Sequence, residues 1–320
     1  MFDPSSVIDD LYRESEELDR LVGKLEEGDW ALPTPAEGWS VAHQIAHLAW
    51  TDRAALIAIT DAEAFGRETE KAFAAAGSFV DEGAEEGART APEELLATWR
   101  AGRGELERAL RAAPLGVRFP WYGPPMSVAS MATARVMETW AHGQDVADAL
   151  GVVRAPTDRL QHVVRIGVRT RNFAFGVRGL FAPNEEFRVE LVGPAGELWT
   201  HGPEDAAQRV TGPALDFCLL VTQRANRADL AVRAQGPDAD KWLDIAQAFA
   251  GPSGAGRAPK SGTEHAPKSG TGHAPKPGTG SAPKSGTGHA PKSGTGSAPK
   301  SGTGHAPKSG TGSAPKGMAR

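Results

Sequence analysis

The chain has 320 residues, 40% of them hydrophobic, with a formal net charge of −5. That length supplies two ordinary domains with substantial cores, and the single cysteine, Cys218, excludes an internal disulfide and suits a reducing compartment. No apolar run approaches the ~18 residues of a membrane span, and the stretch Met1-Phe-Asp-Pro-Ser-Ser has neither the basic nor the apolar part of a secretory leader, so a cytoplasmic protein is expected.

In chain order, Asp3-Pro4 reads as an N-cap followed by proline at the first helical position. Val7, Ile8, Leu11, Leu18, Leu21, Val22 and Leu25 then recur at helical spacing to about Glu27. The two-proline stretch 29–38 reads as a loop. Ser40 caps a second helix carrying Val41, Ile45, Leu48, Ala49 and Leu56, and a shorter helical piece is expected over 62–76. Pro92 opens a long helix with Leu95, Leu96, Trp99, Leu106 and Leu110. After Phe119-Pro-Trp-Tyr-Gly-Pro-Pro, Ser127 starts another that runs to Gly151. Four principal helices with antiparallel connections make a bundle over residues 1–153.

Beyond Pro156 the pattern changes. Residues 160–176 read as one helix, Phe187-Arg-Val-Glu-Leu-Val alternates as a strand, and Glu197-Leu-Trp-Thr pairs back as a hairpin. Short strands at 208–210 and 230–234 and helices at 213–223 and 238–249 complete an α+β domain over 154–256 with a small, mainly antiparallel sheet.

From Ala258 the unit Ala-Pro-Lys-Ser-Gly-Thr-Gly-His/Ser recurs every eight residues, with Lys260, Lys268, Lys276, Lys284, Lys292, Lys300, Lys308 and Lys316 in register. No aliphatic residue larger than alanine is available for burial before Met318, so a tail over 257–320 is expected to be disordered. Residues 258–320 carry nine basic side chains against one acidic one, so the rest of a chain of net −5 stands at −13. An acidic body argues against nucleic-acid binding through it.

Glu138 and His142 lie four residues apart on the last long helix of the bundle and face the same way. His47, on the second helix beside Ile45 and Leu48, is the best third ligand. Two imidazoles and a carboxylate from two helices would make a three-ligand metal site with an open position, as a catalytic ion needs. Asp145, one turn past His142, is a candidate to back that histidine or to add a ligand. His43 and His47 mimic the zinc-protease helix, but residue 44 is Gln where that motif needs its catalytic Glu, so that reading is rejected. His43, His162 and His201 read as neighbours or packing residues, the tail histidines as too sparse for a defined site, and Cys218 as a small buried hydrophobe.

The run Trp30-x-x-x-Thr34-x-x-x-x-Trp39-Ser-Val, His47-Leu, and then Glu138-x-x-x-His142-x-x-Asp145 resembles the mycothiol-dependent maleylpyruvate isomerase family, over about residues 5–250. The resemblance implies a DinB-like four-helix metal-binding domain followed by a smaller sterol-carrier-like α+β domain. It also implies zinc held by His47, Glu138 and His142, and a thiol cofactor such as mycothiol. His43 stands where relatives usually carry an acidic residue, and the tail has no counterpart. Arg224 matches the region where relatives place a basic residue near the pocket, a candidate partner for a substrate carboxylate. The activity implied is isomerisation or S-transfer on a small electrophile. Two other readings stay open at this point: a metal-containing small-molecule or lipid binding protein without turnover, and a tether whose working part is the tail.

Overall fold

The computed structural model describes residues 3–74, 79–251, 254 and 256–260. The repeat beyond Lys260, and with it the expected disorder, lies outside the described residues. Among the described residues, the fold is mostly helical with a few short strands.

Helix α1 spans Ser5–Val22. Its start is one residue later than expected. Pro4 occupies the N-cap, and the Asp3 carboxylate accepts from the Ser5 amide at 2.9 Å and its hydroxyl at 2.7 Å. The helix stops at Val22 instead of continuing to 27, and a 3-10 turn over Glu27–Ala31 tucks Trp30 into the core. Helix α2 is Val41–Thr60, α3 Ala62–Ala74 and α4 Phe79–Ala88. Hydropathy alone did not separate α4, because it is short and buries little beyond Ala84. It lies hard against α2: a methyl group at Gly87 would meet the Ala46 Cβ at 2.7 Å, so only glycine permits the approach.

Helix α5, Pro92–Ala112, begins with proline in its first turn. A small hairpin of β1 (Arg118–Phe119) and β2 (Met126–Ser127) then encloses Trp121 and Tyr122. Helix α6, Val128–Ala149, starts where Ser127 Oγ accepts from the Ser130 amide at 3.2 Å. Helices α1, α2, α5 and α6 pack on one another, with α4 laid across α2.

The remaining elements are α7 (Leu160–Arg169), α8 (Arg171–Gly176), β3 (Phe187–Val192), β4 (Leu198–His201), β5 (Gln208–Pro213), α9 (Ala214–Val221), β6 (Arg233–Gln235) and α10 (Pro237–Ile245). The single helix expected over 160–176 is two. The Thr170 hydroxyl donates back to the Ile166 carbonyl at 3.0 Å, a side-chain bond that competes with helix continuation. The sheet order is β4-β3-β5-β6. Its outer pairings are antiparallel, as expected, but the central pair β3·β5 is parallel, with Val189 opposite Val210. Local alternation identifies a strand but not the direction of a partner reached through a hairpin and a loop. All the described residues belong to one compact unit.

Helix α6 is shared between two cores. Met131, Ala132 and Val136 pack with α1, α2 and α5 residues, while Met137, Trp140 and Ala141 join Phe187, Phe217 and Trp242 of the C-terminal half. A polar stripe of the helix also meets α2. Arg135 Nε donates to Asp52 at 2.9 Å and its Nη2 to the Thr51 hydroxyl at 2.6 Å, with Arg135 only 1% exposed. Removing one member of such a buried pair leaves the other uncompensated. Arg135→Met is expected to cost about 3–5 kcal/mol in urea unfolding, and adding Asp52→Leu in the same chain to recover most of it.

Candidate metal centre

Helices α2 and α6 run antiparallel, and the polar pairing begun by Arg135 continues along them. His47 Nε2 lies 3.6 Å from Glu138 Oε2, and His142 Nε2 lies 3.2 Å from the same oxygen. The two imidazole rings are 4.5 Å apart between centroids. One ligand atom from each of the three residues falls within 4.8 Å of the others. Atoms bound at about 2.0–2.1 Å around a tetrahedral ion lie about 3.3 Å from one another, so both measured separations suit a common ion.

The tautomer of His142 follows from its neighbours. The Thr34 hydroxyl donates to the Trp39 carbonyl at 2.8 Å and accepts from Gln44 Nε2 at 2.8 Å. That orients the Gln44 amide with Oε1 toward His142, where it accepts from Nδ1 at 2.5 Å. With Nδ1 protonated, Nε2 carries the lone pair. Burial, with help from the charges of His47 and Arg224, pushes the pKa of His142 down to about 4, so the ring is neutral at neutral pH. A neutral imidazole therefore turns its lone pair toward the Glu138 carboxyl oxygen 3.2 Å away. Two electron-pair donors facing each other in a largely dry site need a cation between them, and these three side chains fit a divalent ion. His47 is backed less fully: its buried Nδ1 has no hydrogen-bond partner among the described residues.

Aromatic rings wall the cluster. Trp39 stacks on His142 at 5.9 Å and 19° and sits 5.3 Å from His47, while Trp50 is 6.0 Å from His47 and continues to Tyr122 and Phe79. Helix α4 fastens this rim. Trp39 Nε1 donates to Asp81 at 3.1 Å, and His43 Nε2, its Nδ1 engaged by the Ser40 amide at 3.2 Å, pairs with Glu85 at 2.8 Å. His43 is thus engaged by a helix cap and a hydrogen bond to Glu85.

Arg224 and Asp145 lie beside the centre. Asp145, 2% exposed, accepts from Arg224 Nη2 at 2.8 Å and from Arg257 Nη2 at 2.6 Å. Both its oxygens go to arginines, and the backing of His142 that its spacing suggested comes from Gln44 instead. Elsewhere, His162 pairs with Asp10 at 2.9 Å and His201 is part-buried near Arg165 and Arg188. Cys218 is fully buried, its thiol pushed well up by burial, as expected of a packing residue. The tail histidines lie outside the described residues.

Two residues at the site escaped the sequence reading. Gln44 was weighed only as a missing glutamate, although Gln44, His47 and Thr51 form one helical stripe, as do Arg135, Glu138 and His142. Arg257 carries no local signal, because its partners are more than a hundred residues away.

Comparisons with known proteins find similar sequences and a similar fold. Residues 11–147 match the family model described as the mycothiol maleylpyruvate isomerase N-terminal domain, and residues 183–235 match one described as wyosine base formation. An uncharacterized protein of Mycobacterium tuberculosis, in strains CDC 1551 and H37Rv, is 57% identical over 257 residues, 80% of this chain and 100% of the relative. A crystal structure of the mycothiol-dependent maleylpyruvate isomerase covers 74% of this chain and 96% of its own at a TM-score of 0.52 and 15% identity. A histidine-to-alanine mutant of that enzyme gives 0.53 and 16%. At such identity the structural likeness is one of fold.

Because Gln44 sets the tautomer of His142 without being a ligand, Gln44→Ala is expected to weaken divalent-metal binding about 10–100-fold in a chelator competition, with unchanged helical content.

Proposed function

The chain belongs to the mycothiol-dependent maleylpyruvate isomerase family, and from that membership and the geometry of the centre we propose that it is a zinc- and thiol-dependent enzyme acting on a small electrophilic substrate. In this reading residues 1–153 are a DinB-like four-helix metal-binding domain and residues 154–256 a sterol-carrier-like α+β domain, with His47, Glu138 and His142 as the metal ligands. The observation that carries the proposal is the lone pair of His142 facing Glu138 Oε2, held there by Gln44, with His47 turned to the same oxygen. A site built to need a cation, with three protein ligands, suits chemistry better than architecture.

The ion would supply Lewis acidity, lowering the pKa of a low-molecular-weight thiol such as mycothiol so that thiolate is available near neutral pH. Such a thiolate would supply a nucleophile for an unsaturated substrate carbon, and the chemistry would be isomerisation if the thiol is released again and S-transfer if it is retained. Around these steps Gln44 and Thr34 hold His142 in its neutral donor form, and Trp39 and Trp50 keep bulk water from the cluster. Arg224, whose charge acts on His142 and which Asp145 holds, would pair with a substrate carboxylate.

No helix among the described residues is long and apolar enough to cross a membrane. Elemental analysis of the full chain is expected to find about one zinc per chain, lost in His47→Ala, and calorimetry to show a thiol binding the zinc-loaded protein only. A full chain free of metal after purification and after zinc dialysis would sink the proposal.

A further inference from the structure

We propose that Arg257 is a positioning residue that acts through Asp145 to keep Arg224 available to a substrate carboxylate. This rests on the reading of Arg224 given above. Arg257 lies beyond the last regular helix, yet it reaches back to α6. Its Nη2 donates to Asp145 Oδ1 and its Nη1 to Asp148 Oδ2, both at 2.6 Å, so it bridges carboxylates three residues apart on one helix face. Its own segment is anchored: Asn226 Nδ2 donates to the Arg257 carbonyl at 2.8 Å, and the Lys260 amide donates to the Asp229 carboxylate at 3.0 Å.

The consequence falls on Arg224. A guanidinium and a buried carboxylate left alone close into a two-bond fork, the strongest arrangement open to them. Here Arg257 occupies Oδ1, so Arg224 holds Asp145 through Nη2 on Oδ2 alone. Its Nη1 is turned to the Thr222 carbonyl at 2.7 Å, and its Nε is buried with no hydrogen-bond partner among the described residues. A buried donor without a partner is costly, and an incoming carboxylate relieves that cost. With Arg257 gone, Asp145 is free to take both bonds of Arg224 itself, competing with the substrate for the same donors. Arg257 therefore sharpens carboxylate recognition without touching the ligand.

The test uses the zinc-loaded full chain and two probes, thioglycolate, a thiol with a carboxylate, and 2-mercaptoethanol, which lacks one, titrated by calorimetry. The wild type is expected to prefer thioglycolate, and Arg224→Ala to lose that preference. Arg257→Ala is expected to lower it by about tenfold, the equivalent of one good polar contact, with unchanged zinc content. Arg224→Ala/Arg257→Ala should fall no further than Arg224→Ala, because Arg257 acts through Arg224. Arg257→Lys, which keeps one donor on Asp145, should retain most of the preference. A preference abolished by Arg224→Ala but intact in Arg257→Ala overturns this inference alone, as does an Arg257→Ala chain that has lost its zinc, which marks a structural role. A wild type that does not distinguish the probes overturns the reading of Arg224 and this inference with it.

Discussion

Polar groups inside a protein must find partners, and in this fold that requirement is concentrated on one seam. Read backwards along α2 and forwards along α6, Asp52 and Thr51 meet Arg135, His47 meets Glu138, and Gln44 meets His142. Apolar side chains tolerate small slips between helices, because one methyl contact substitutes for another. A row of directional pairs does not. Any slip of α2 along α6 breaks all of them together, so the seam fixes the register of the two helices that carry the centre. The Arg135 end secures the alignment with an ion pair, and the other end is left to bind.

Helix α6 gains its importance from serving different neighbours on each side. Arg135, Glu138 and His142 face α2, Met137, Trp140 and Ala141 enter the core of the C-terminal half, and Asp145 and Asp148 receive arginines from residues 224 and 257. Glu14 of α1, almost wholly buried, is paired with both Arg154 and Arg159 just beyond the helix. With each side held by a different partner, little freedom remains for the helix to rotate, and the geometry at Glu138 and His142 inherits that rigidity.

The sequence made the centre legible because its residue types are rare inside helices and its spacing is local. Glu138 and His142 share a helical turn, and His47 stands among Ile45 and Leu48, so a buried cluster needed only two helices to meet. The long helices were legible for the same reason. The features that escaped are those fixed by distant chain: the parallel pairing of β3 with β5, the seat of α4 against Ala46, the arginine partners of Asp145. Gln44 is a different case. It was read against a motif that demands a glutamate, whereas its amide does something a carboxylate would not, accepting from His142 while donating to Thr34.

The seam also bears on the order in which the protein can assemble. Its pairs join residues 83 to 98 positions apart, and the Arg257 contact spans 112. Loops of that length close slowly, and only after the helices between them have formed. The helices of the first half are therefore expected to gather on their local apolar faces before the imidazoles meet the carboxylate. During that interval the histidines of α2 are exposed without their acidic partner. The unfinished chain then offers only single, weak ligands to passing ions, and tight binding waits for the native arrangement.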